Sequence, residues 1–283
     1  MLLKKINKYF FTLILLLNTS FSQNFLPSSI ISLSDIQSIR DFSPDLIASY
    51  GEQLAFIDKK NRTLGMYAYD SLRVIGGYGS SEYSFIDPID IVIDKLDVMV
   101  LDESEGKVSR FDLNLNFIQF YDLLLDYPIY PSVFSIDSRR NIYFFSPDDH
   151  ILYRKDYSSK KINKFIDYSS NTKSPGCLSD IYINQNDQIG TLFDCSNELH
   201  IYNRSGRLQV KYKIELKNPH KSFFINGNWS VIDTVGRIQL SNGLIFDLFI
   251  DKKTILDSYI NQNILYVLTK NKIYIFDSTI FPK

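Results

Sequence analysis

Three aspartates occupy one position of a repeated sequence pattern, and together they could do chemistry. Asp90, Asp180 and Asp257 each stand three residues before an isoleucine that is followed by Asp or Asn. Two further copies of the pattern carry Val133 and Ser222 there. Carboxylate oxygens are the ligands that Ca²⁺ prefers, so a fold that gathered these acids would create a candidate calcium site. The alternative, which we favour, is that the acids cap loops or face water in a channel.

Residues for other common reactions are scattered or missing. The three histidines, His150, His200 and His220, are predicted on two neighbouring strand regions and one loop, without the convergence that a catalytic zinc or iron needs. The sequence contains no C-x-x-C, H-E-x-x-H or G-x-S-x-G motif. The glycine-rich stretch at 76–81 precedes no helical pattern, so it is predicted to be a loop rather than a phosphate cradle. We therefore assign no catalytic residues.

The aspartates belong to a unit that repeats along the chain. The recurring isoleucines are separated by 43, 47, 42 and 35 residues and lie at Ile93, Ile136, Ile183, Ile225 and Ile260. Each follows a β-rich run, and a polar turn and further apolar runs come after it. A less regular copy occupies 46–58. Short loops join adjacent antiparallel strands, so the pattern predicts an all-β, six-bladed β-propeller with four-stranded antiparallel blades.

The two ends of the chain are predicted to close the ring. The sixth unit lacks a fourth strand, whereas residues 28–33 form a spare strand before the first unit. We expect this N-terminal strand to complete the last blade and remove an open edge. In a propeller the first strand of each blade is innermost, which would place Asp90, Asp180 and Asp257 at the channel. An irregular β-sandwich and a right-handed β-helix are the alternatives.

The second unit resembles an NHL repeat. Residues 88–118 follow the family's order of strands and turns, and its characteristic positions are occupied by Pro88, Asp94, Asp102, Phe111 and Asp112. The usual turn glycine and the Asn-His/Arg pair are replaced, and the other units match more weakly. The resemblance implies a six-bladed fold shared by binding scaffolds, lyases and lactonases, so it does not decide function. Lactonase-like members use a channel metal, which is why Ca²⁺ stays a candidate cofactor.

The two cysteines are predicted to form a disulfide. If Ile183 faces Ile189 across the first hairpin of blade four, the same register places Cys177 opposite Cys195. Facing Cβ atoms are near the distance that a disulfide needs. A slip of one residue would leave two free thiols instead. The bond would stabilise a blade and take no part in redox catalysis.

The first 22 residues are predicted to be a secretory signal peptide. Lys4, Lys5 and Lys8 precede an apolar run at 9–17, and Ser20 and Ser22 suit a cleavage site before Gln23. A transmembrane anchor is the alternative, but the run is short for a bilayer. The mature chain, 23–283, would be a single propeller domain with 28 basic and 32 acidic residues. That balance does not favour nucleic acid as a partner, and no later segment is apolar enough to span a membrane.

The sequence predicts function only at the level of class. The favoured hypothesis is an exported, non-catalytic binding scaffold in the periplasm or outside a bacterial cell, with a protein or glycan partner. The alternatives are a Ca²⁺-dependent hydrolase or lyase and a subunit of a cell-envelope assembly. Tyr127 and Tyr130, in a loop between blades two and three, are candidate surface contacts; packing of that loop on the propeller face is the other interpretation.

Overall fold

Six small sheets are arranged in a ring in the computed structural model, which describes residues 24–36, 41–123, 129–159, 161–170, 172–251 and 254–283. The innermost strand of each blade contacts the innermost strand of the next, and the sixth returns to the first. Six apolar layers lie between neighbouring blades. The predicted six-bladed β-propeller is therefore confirmed. The predicted signal peptide lies outside the described residues.

The strands follow the predicted order of four per blade. The chain first forms two short strands, β1 Asn24–Phe25 and β2 Ser29–Ser32, and a one-turn helix, Leu33–Ile36. Blades one to three contain β3 Leu46–Tyr50, β4 Gln53–Asp58, β5 Thr63–Ala68, β6 Ser71–Gly76; β7 Pro88–Ile93, β8 Asp97–Asp102, β9 Lys107–Asp112, β10 Phe117–Asp122; and β11 Val133–Ile136, β12 Ile142–Ser146, β13 Ile151–Lys155, β14 Ile162–Asp167.

Blades four to six continue the pattern, with two short 3₁₀ helices beside them. Their elements are Pro175–Cys177, β15 Leu178–Ile183, β16 Ile189–Phe193, β17 Glu198–Tyr202, β18 Leu208–Lys213; β19 Pro219–Ile225, β20 Asn228–Asp233, β21 Arg237–Leu240, β22 Ile245–Leu248; and β23 Ile255–Asn261, β24 Ile264–Thr269, β25 Lys272–Asp277, Ser278–Ile280.

The N-terminal segment closes the ring as predicted and also extends blade five. Strand β2 pairs antiparallel with β25 and supplies the fourth strand of blade six. Strand β1 pairs in parallel with β22, which gives blade five an unpredicted fifth strand. Phe25 of β1 packs edge-on against Phe246 and Phe281, with ring centroids 4.9 and 5.2 Å away. One continuous segment therefore holds two neighbouring blades.

The acid or amide that follows the recurring isoleucine caps the turn between the first two strands in blades two to four. Asp94 Oδ1 accepts hydrogen bonds from the backbone N–H groups of Leu96 and Asp97. Asp137 and Asn184 make the equivalent bonds in their own turns. The cap fixes a turn that loops back within two to four residues, which is the structural role expected for these side chains.

Cys177 and Cys195 form a disulfide with a Cα–Cα distance of 5.7 Å. The hairpin has the predicted pairing of Ile183 with Ile189, but a register shift between Leu178 and Asp180 ends that register before the cysteines. The bond therefore lies just beyond the paired strands, joining a 3₁₀ helix to a turn, and not directly across the sheet.

Removing this disulfide is expected to destabilise the protein measurably. A bond that spans 18 residues restricts the unfolded chain by about 3 kcal/mol on the loop-entropy model. A double variant, Cys177→Ser with Cys195→Ser, should lower the urea midpoint and raise the denaturant slope, because its unfolded chain is more expanded and exposes more surface. The reduced wild-type protein should behave like the variant. Equal midpoints for oxidised wild type and variant would contradict this assignment.

Candidate functional site

Four charged side chains gather at one end of the central channel and form what we call the channel floor: Asp90, Asp180, Lys221 and Asp257. The three acids are 3–7% exposed. Each of the four stands immediately after a register shift in its innermost strand. A β-bulge re-aims the side chain that follows it, so four bulged strands direct four charges to one region.

Lys221 is the cation of the floor. Its Nζ atom lies 3.2 Å from Asp180 Oδ1 and 3.9 Å from Asp257 Oδ1. Burial lowers the pKa of Lys221, but Asp180, Asp257 and Asp90 together raise it above the usual value. The amine is therefore protonated at physiological pH, which makes it an ion-pair partner and excludes a role as a nucleophile or general base in this state.

Each floor carboxylate also fastens its own blade to the next. Asp90 Oδ2 accepts a hydrogen bond from Phe134 N (3.0 Å), and Asp257 Oδ2 accepts one from Ile47 N (2.9 Å). Asp180 Oδ2 accepts from both the backbone N–H and the hydroxyl of Ser222, at 2.7 Å. These bonds link blade two to three, four to five, and six to one, so the acids have a structural role.

Burial changes the proton affinity of the floor groups. It raises the pKa of Asp90 to about 6, against the opposing effects of Lys221 and the Phe134 N–H. It also raises the pKa of Asp257. His220 lies beside the floor, with Nε2 at 3.8 Å from Asp257 Oδ1. Burial and the neighbouring Lys221 lower the pKa of His220 to about 4, so this imidazole is neutral near pH 7.

A cavity of about 710 Å³ extends from the floor to the turns at the opposite end of the innermost strands. Innermost strands of all six blades line it. Two tyrosines, Tyr182 and Tyr259, contribute to its wall, and Tyr50 and Tyr157 also line it. Burial and then Asp180 raise the pKa of Tyr182 to about 12, and burial also raises the pKa of Tyr259. Both therefore remain neutral phenols.

A network of two arginines and two aspartates lies at the other end, the channel mouth. Arg140 pairs with Asp94 and Asp97, and Arg110 Nε donates to Asp97 Oδ2 at 2.5 Å. Both guanidinium groups lie over the ring of Tyr157, 5.2 and 5.8 Å from its centroid. This network crosses from blade two to blade three and stiffens the rim of the cavity.

The floor geometry departs from that of a calcium site. Within the described residues, the one set of three His, Cys, Asp or Glu side chains with ligand atoms within 4.8 Å of one another is Cys177, Asp194 and Cys195. Its two sulfurs are already joined to each other. Two of the floor carboxylates, Asp180 and Asp257, instead contact the ammonium group of Lys221, so a Ca²⁺ ion that used both would have to displace this group.

The other sequence-predicted residues lie elsewhere. Tyr130 is 47% exposed, in the loop before blade three, whereas Tyr127 lies outside the described residues. His200 is wholly buried in β17, with Nε2 at 2.9 Å from Glu198 Oε2, and His150 lies in the turn before β13. His220 was predicted in a loop, but it belongs to β19 and reaches the floor.

Sequence reasoning missed Lys221 because it aligned blade five one residue off. The pattern counted Ser222 as the equivalent of the aspartates, yet Lys221 pairs with Ile232 as Asp90 pairs with Leu101. Blade five has a two-residue turn, Asn226-Gly227, so Ile225 pairs with Asn228 at the very end of the hairpin. Asn-Gly is the strongest short hairpin signal, and alignment on this turn would have identified Lys221.

Comparisons with known proteins extend the fold assignment. No protein-family model and no curated protein matches the sequence. Among solved structures, virginiamycin B lyase from Staphylococcus aureus is similar with a TM-score of 0.60 and 14% identity, over 88% of this chain and 99% of that one. A streptogramin B lyase structure is similar with a TM-score of 0.62 and 12% identity, over 88% of this chain and 87% of that one.

A third similar structure is the BT4673 extracellular domain from B. thetaiotaomicron. Its TM-score is 0.61 and its identity 10%, over 93% of this chain and 44% of that one. Similarity at these identities shows the fold alone, and the six-bladed ring is consistent with the NHL-like resemblance of the second unit. The neighbours include both lyases and an extracellular domain, so they do not choose between catalysis and binding.

Proposed function

We propose that this protein is an exported, non-catalytic binding protein whose central channel holds part of a protein or glycan partner. The observation that carries the proposal is the cavity of about 710 Å³ formed by innermost strands of all six blades. Ligand sites are concave, and their volumes are commonly about 300–1,000 Å³. A cavity walled by hydrogen-bonded strands is preformed, which lowers the entropic cost of binding.

The roles of the floor residues favour binding over catalysis. Lys221 is held protonated by its carboxylate neighbours. Asp90, Asp180 and Asp257 each accept a backbone hydrogen bond from the adjoining blade. Groups that are committed to joining blades cannot move readily through a reaction cycle, whereas they suit a rigid recognition surface.

Export is supported by two observations. The first 22 residues have the composition of a signal peptide, and disulfides such as Cys177–Cys195 persist mainly in oxidising compartments. We therefore infer that the mature chain, 23–283, is exported to the periplasm or to the outside of a bacterial cell. Separately, no helix among the described residues has the length and apolar character needed to cross a bilayer. Tyr130 is a further candidate contact on the surface.

A fragment screen with a blocked channel tests the proposal. Ser135 lines the cavity, and a Ser135→Trp substitution would fill part of it, with Ser135→Phe as a smaller alternative. Ser71→Trp on the exposed edge strand β6 is the matched control. Ligand-observed NMR should find fragments that bind wild type and the Ser71 variant but not the folded Ser135 variants. Fragments that bind all variants alike, or none at all, would contradict a channel site.

A lyase or hydrolase is the second candidate function, and one observation favours it. Asp90 has a pKa near 6 at a cavity, a property common among acid–base catalysts, in a fold similar to that of two lyases. Incubation with virginiamycin B, followed by mass spectrometry, tests this chemistry directly. Turnover by wild type that is lost in a folded Asp90→Asn variant would replace the binding proposal with an enzymatic one.

A further inference from the structure

We infer that the channel floor recognises a primary ammonium group of the ligand, held beside Asp257 beneath the rings of Tyr182 and Tyr259. This inference rests on the proposed function, since it names the ligand chemistry of the same channel. Four features carry it: the charge of the floor, an open carboxylate oxygen, the aromatic wall and the asymmetric position of Lys221.

The floor has more negative than positive charge. Three carboxylates face one ammonium group, and the neighbouring His220 contributes no charge at neutral pH because its pKa is about 4. With all three acids ionised the floor has a net charge of −2, and protonation of Asp90 would reduce this to −1. Buried charge that lacks a counterion is costly. A ligand cation would therefore stabilise the floor.

One carboxylate oxygen is open to a new donor. The Asp90 oxygens accept backbone bonds from Ile91 and Phe134, and those of Asp180 contact Lys221 and Ser222. Asp257 Oδ2 is also used, by Ile47. By contrast, Asp257 Oδ1 accepts no hydrogen bond of standard geometry within the described part of the chain, although this residue is only 3% exposed and the Ser258 backbone N–H also favours its ionised form.

The imidazole of His220 also has an unsatisfied nitrogen. Its Nε2 lies 3.8 Å from Asp257 Oδ1 and has no hydrogen bond among the described residues. Two buried polar atoms that face each other beyond hydrogen-bond distance are unusual. An ammonium group has three donors and no acceptor. It could therefore donate to both the carboxylate oxygen and the neutral imidazole nitrogen, a combination that an anion could not satisfy.

Lys221 leaves space on the Asp257 side. Its Nζ lies 0.7 Å closer to Asp180 than to Asp257, from the distances of 3.2 and 3.9 Å. A lysine side chain has four rotatable methylene groups, so a small shift toward Asp180 keeps its shorter contact. The ligand ammonium then replaces Lys221 in the longer contact, with Asp257 Oδ1. In this arrangement two cations balance three carboxylates.

The wall above the floor suits the rest of such a ligand. Tyr182 and Tyr259 both line the cavity and both remain neutral. Tyrosine ring faces attract cations and also pack against an alkyl chain. Val92 and Ile136 add apolar surface. The channel thus combines an acidic floor with an aromatic and aliphatic wall, as expected for an alkylammonium group such as a lysine side chain.

A charge series of equal chain length tests the inference. Hexylamine, 1-hexanol and hexanoate differ in charge but share their alkyl chain. Titration into the full mature protein, followed by ¹H–¹⁵N NMR, should show saturable shifts at the amides of Ile47 and Ser258 with hexylamine alone. Asp257→Asn should weaken hexylamine binding roughly tenfold or more, because a charged hydrogen bond is lost. Asp70→Asn, at an exposed turn, is the matched control.

A Lys221→Met variant provides an independent readout. Because removal of the protein's own ammonium leaves three carboxylates without a cation, hexylamine should bind about tenfold more tightly and should raise the melting temperature more than it does for wild type. If Lys221 had only a structural role, its replacement would not increase the affinity for hexylamine. Unchanged hexylamine affinity in both the Lys221 and Asp257 variants would overturn the inference.

Other results separate this inference from the proposed function. Channel-dependent binding of hexanol or hexanoate in place of hexylamine would overturn the ammonium assignment and leave a binding channel. Saturable shifts with CaCl₂ that are lost in Asp257→Asn, without any response to hexylamine, would assign the floor to a metal ion instead. Absence of channel-dependent binding by the series and by the fragment library would overturn both proposals.

Discussion

A Lys221→Met variant is expected to lose about 3–5 kcal/mol of unfolding free energy at pH 8, the typical cost of removing one partner from a buried ion pair. Methionine preserves most of the side-chain volume, so packing should change little. The loss arises because Asp180 and Asp257 would stay buried without their ammonium partner, and the nearby Asp90 would lose the attraction of the same charge. For a protein of this size the melting temperature should fall by about 10 °C.

The loss should become smaller at acid pH, which identifies its electrostatic origin. Burial raises the pKa of Asp90 from 3.8 to about 6. The stabilising contribution of Asp90 is therefore fully present below pH 3.8 and is lost as the pH rises through 6. Burial raises the pKa of Asp257 as well. Without Lys221 both pKa values should rise further, so the deficit of the variant should shrink steadily from pH 8 to pH 5.

His220 changes stability in the opposite sense, so each variant must be compared with wild type at the same pH. Its pKa is lowered from 6.5 to about 4, so its contribution is present above pH 6.5 and is lost as the pH falls through 4. Lys217→Met, in the exposed loop before β19, is the matched control and should stay within about 0.5 kcal/mol of wild type. A Lys221→Met deficit that is independent of pH would indicate a packing role instead.

The ring was predictable because its signals are local and repeated. Each blade needs an alternation of β-rich runs and polar turns, and the caps at Asp94, Asp137 and Asn184 mark the same turn in three blades. Blade six lacks a fourth strand of its own, and the spare strand near the N-terminus was the one available to complete it. These features follow from hydrogen bonding and edge protection within short stretches of sequence.

The floor could be predicted only in part because it depends on bulges. A register shift of one residue decides whether Lys221 or Ser222 occupies the position equivalent to the aspartates, and the turn length in blade five hides that shift from a count along the sequence. The approach of His220 to Asp257 joins two blades and has no local signal. Strand β1 is also invisible in the sequence, because two residues are too few to show an alternating pattern.

The second large effect is expected at that short strand. Phe25 is 6% exposed and packs between Phe246 of blade five and Phe281 beyond the last strand of blade six. Its carbonyl oxygen accepts a hydrogen bond from Phe249 N at 2.8 Å. Because β2, only a few residues later, completes blade six, β1 anchors the segment that closes the ring.

Phe25→Ala is therefore expected to lower the free energy of unfolding by about 3–5 kcal/mol, the range for removing a buried phenylalanine side chain. The substitution should also make the closing strand pair of the propeller open more readily than the rest of the fold. Hydrogen exchange should show the largest loss of protection at the amides of β2 and β25, where the closing pair lies. Leu26→Ala is a stringent control because the neighbouring Leu26 side chain is 66% exposed, and it should change stability by less than about 0.5 kcal/mol. Equal effects of the two substitutions, or a loss of protection spread evenly over all six blades, would contradict the anchoring role of Phe25.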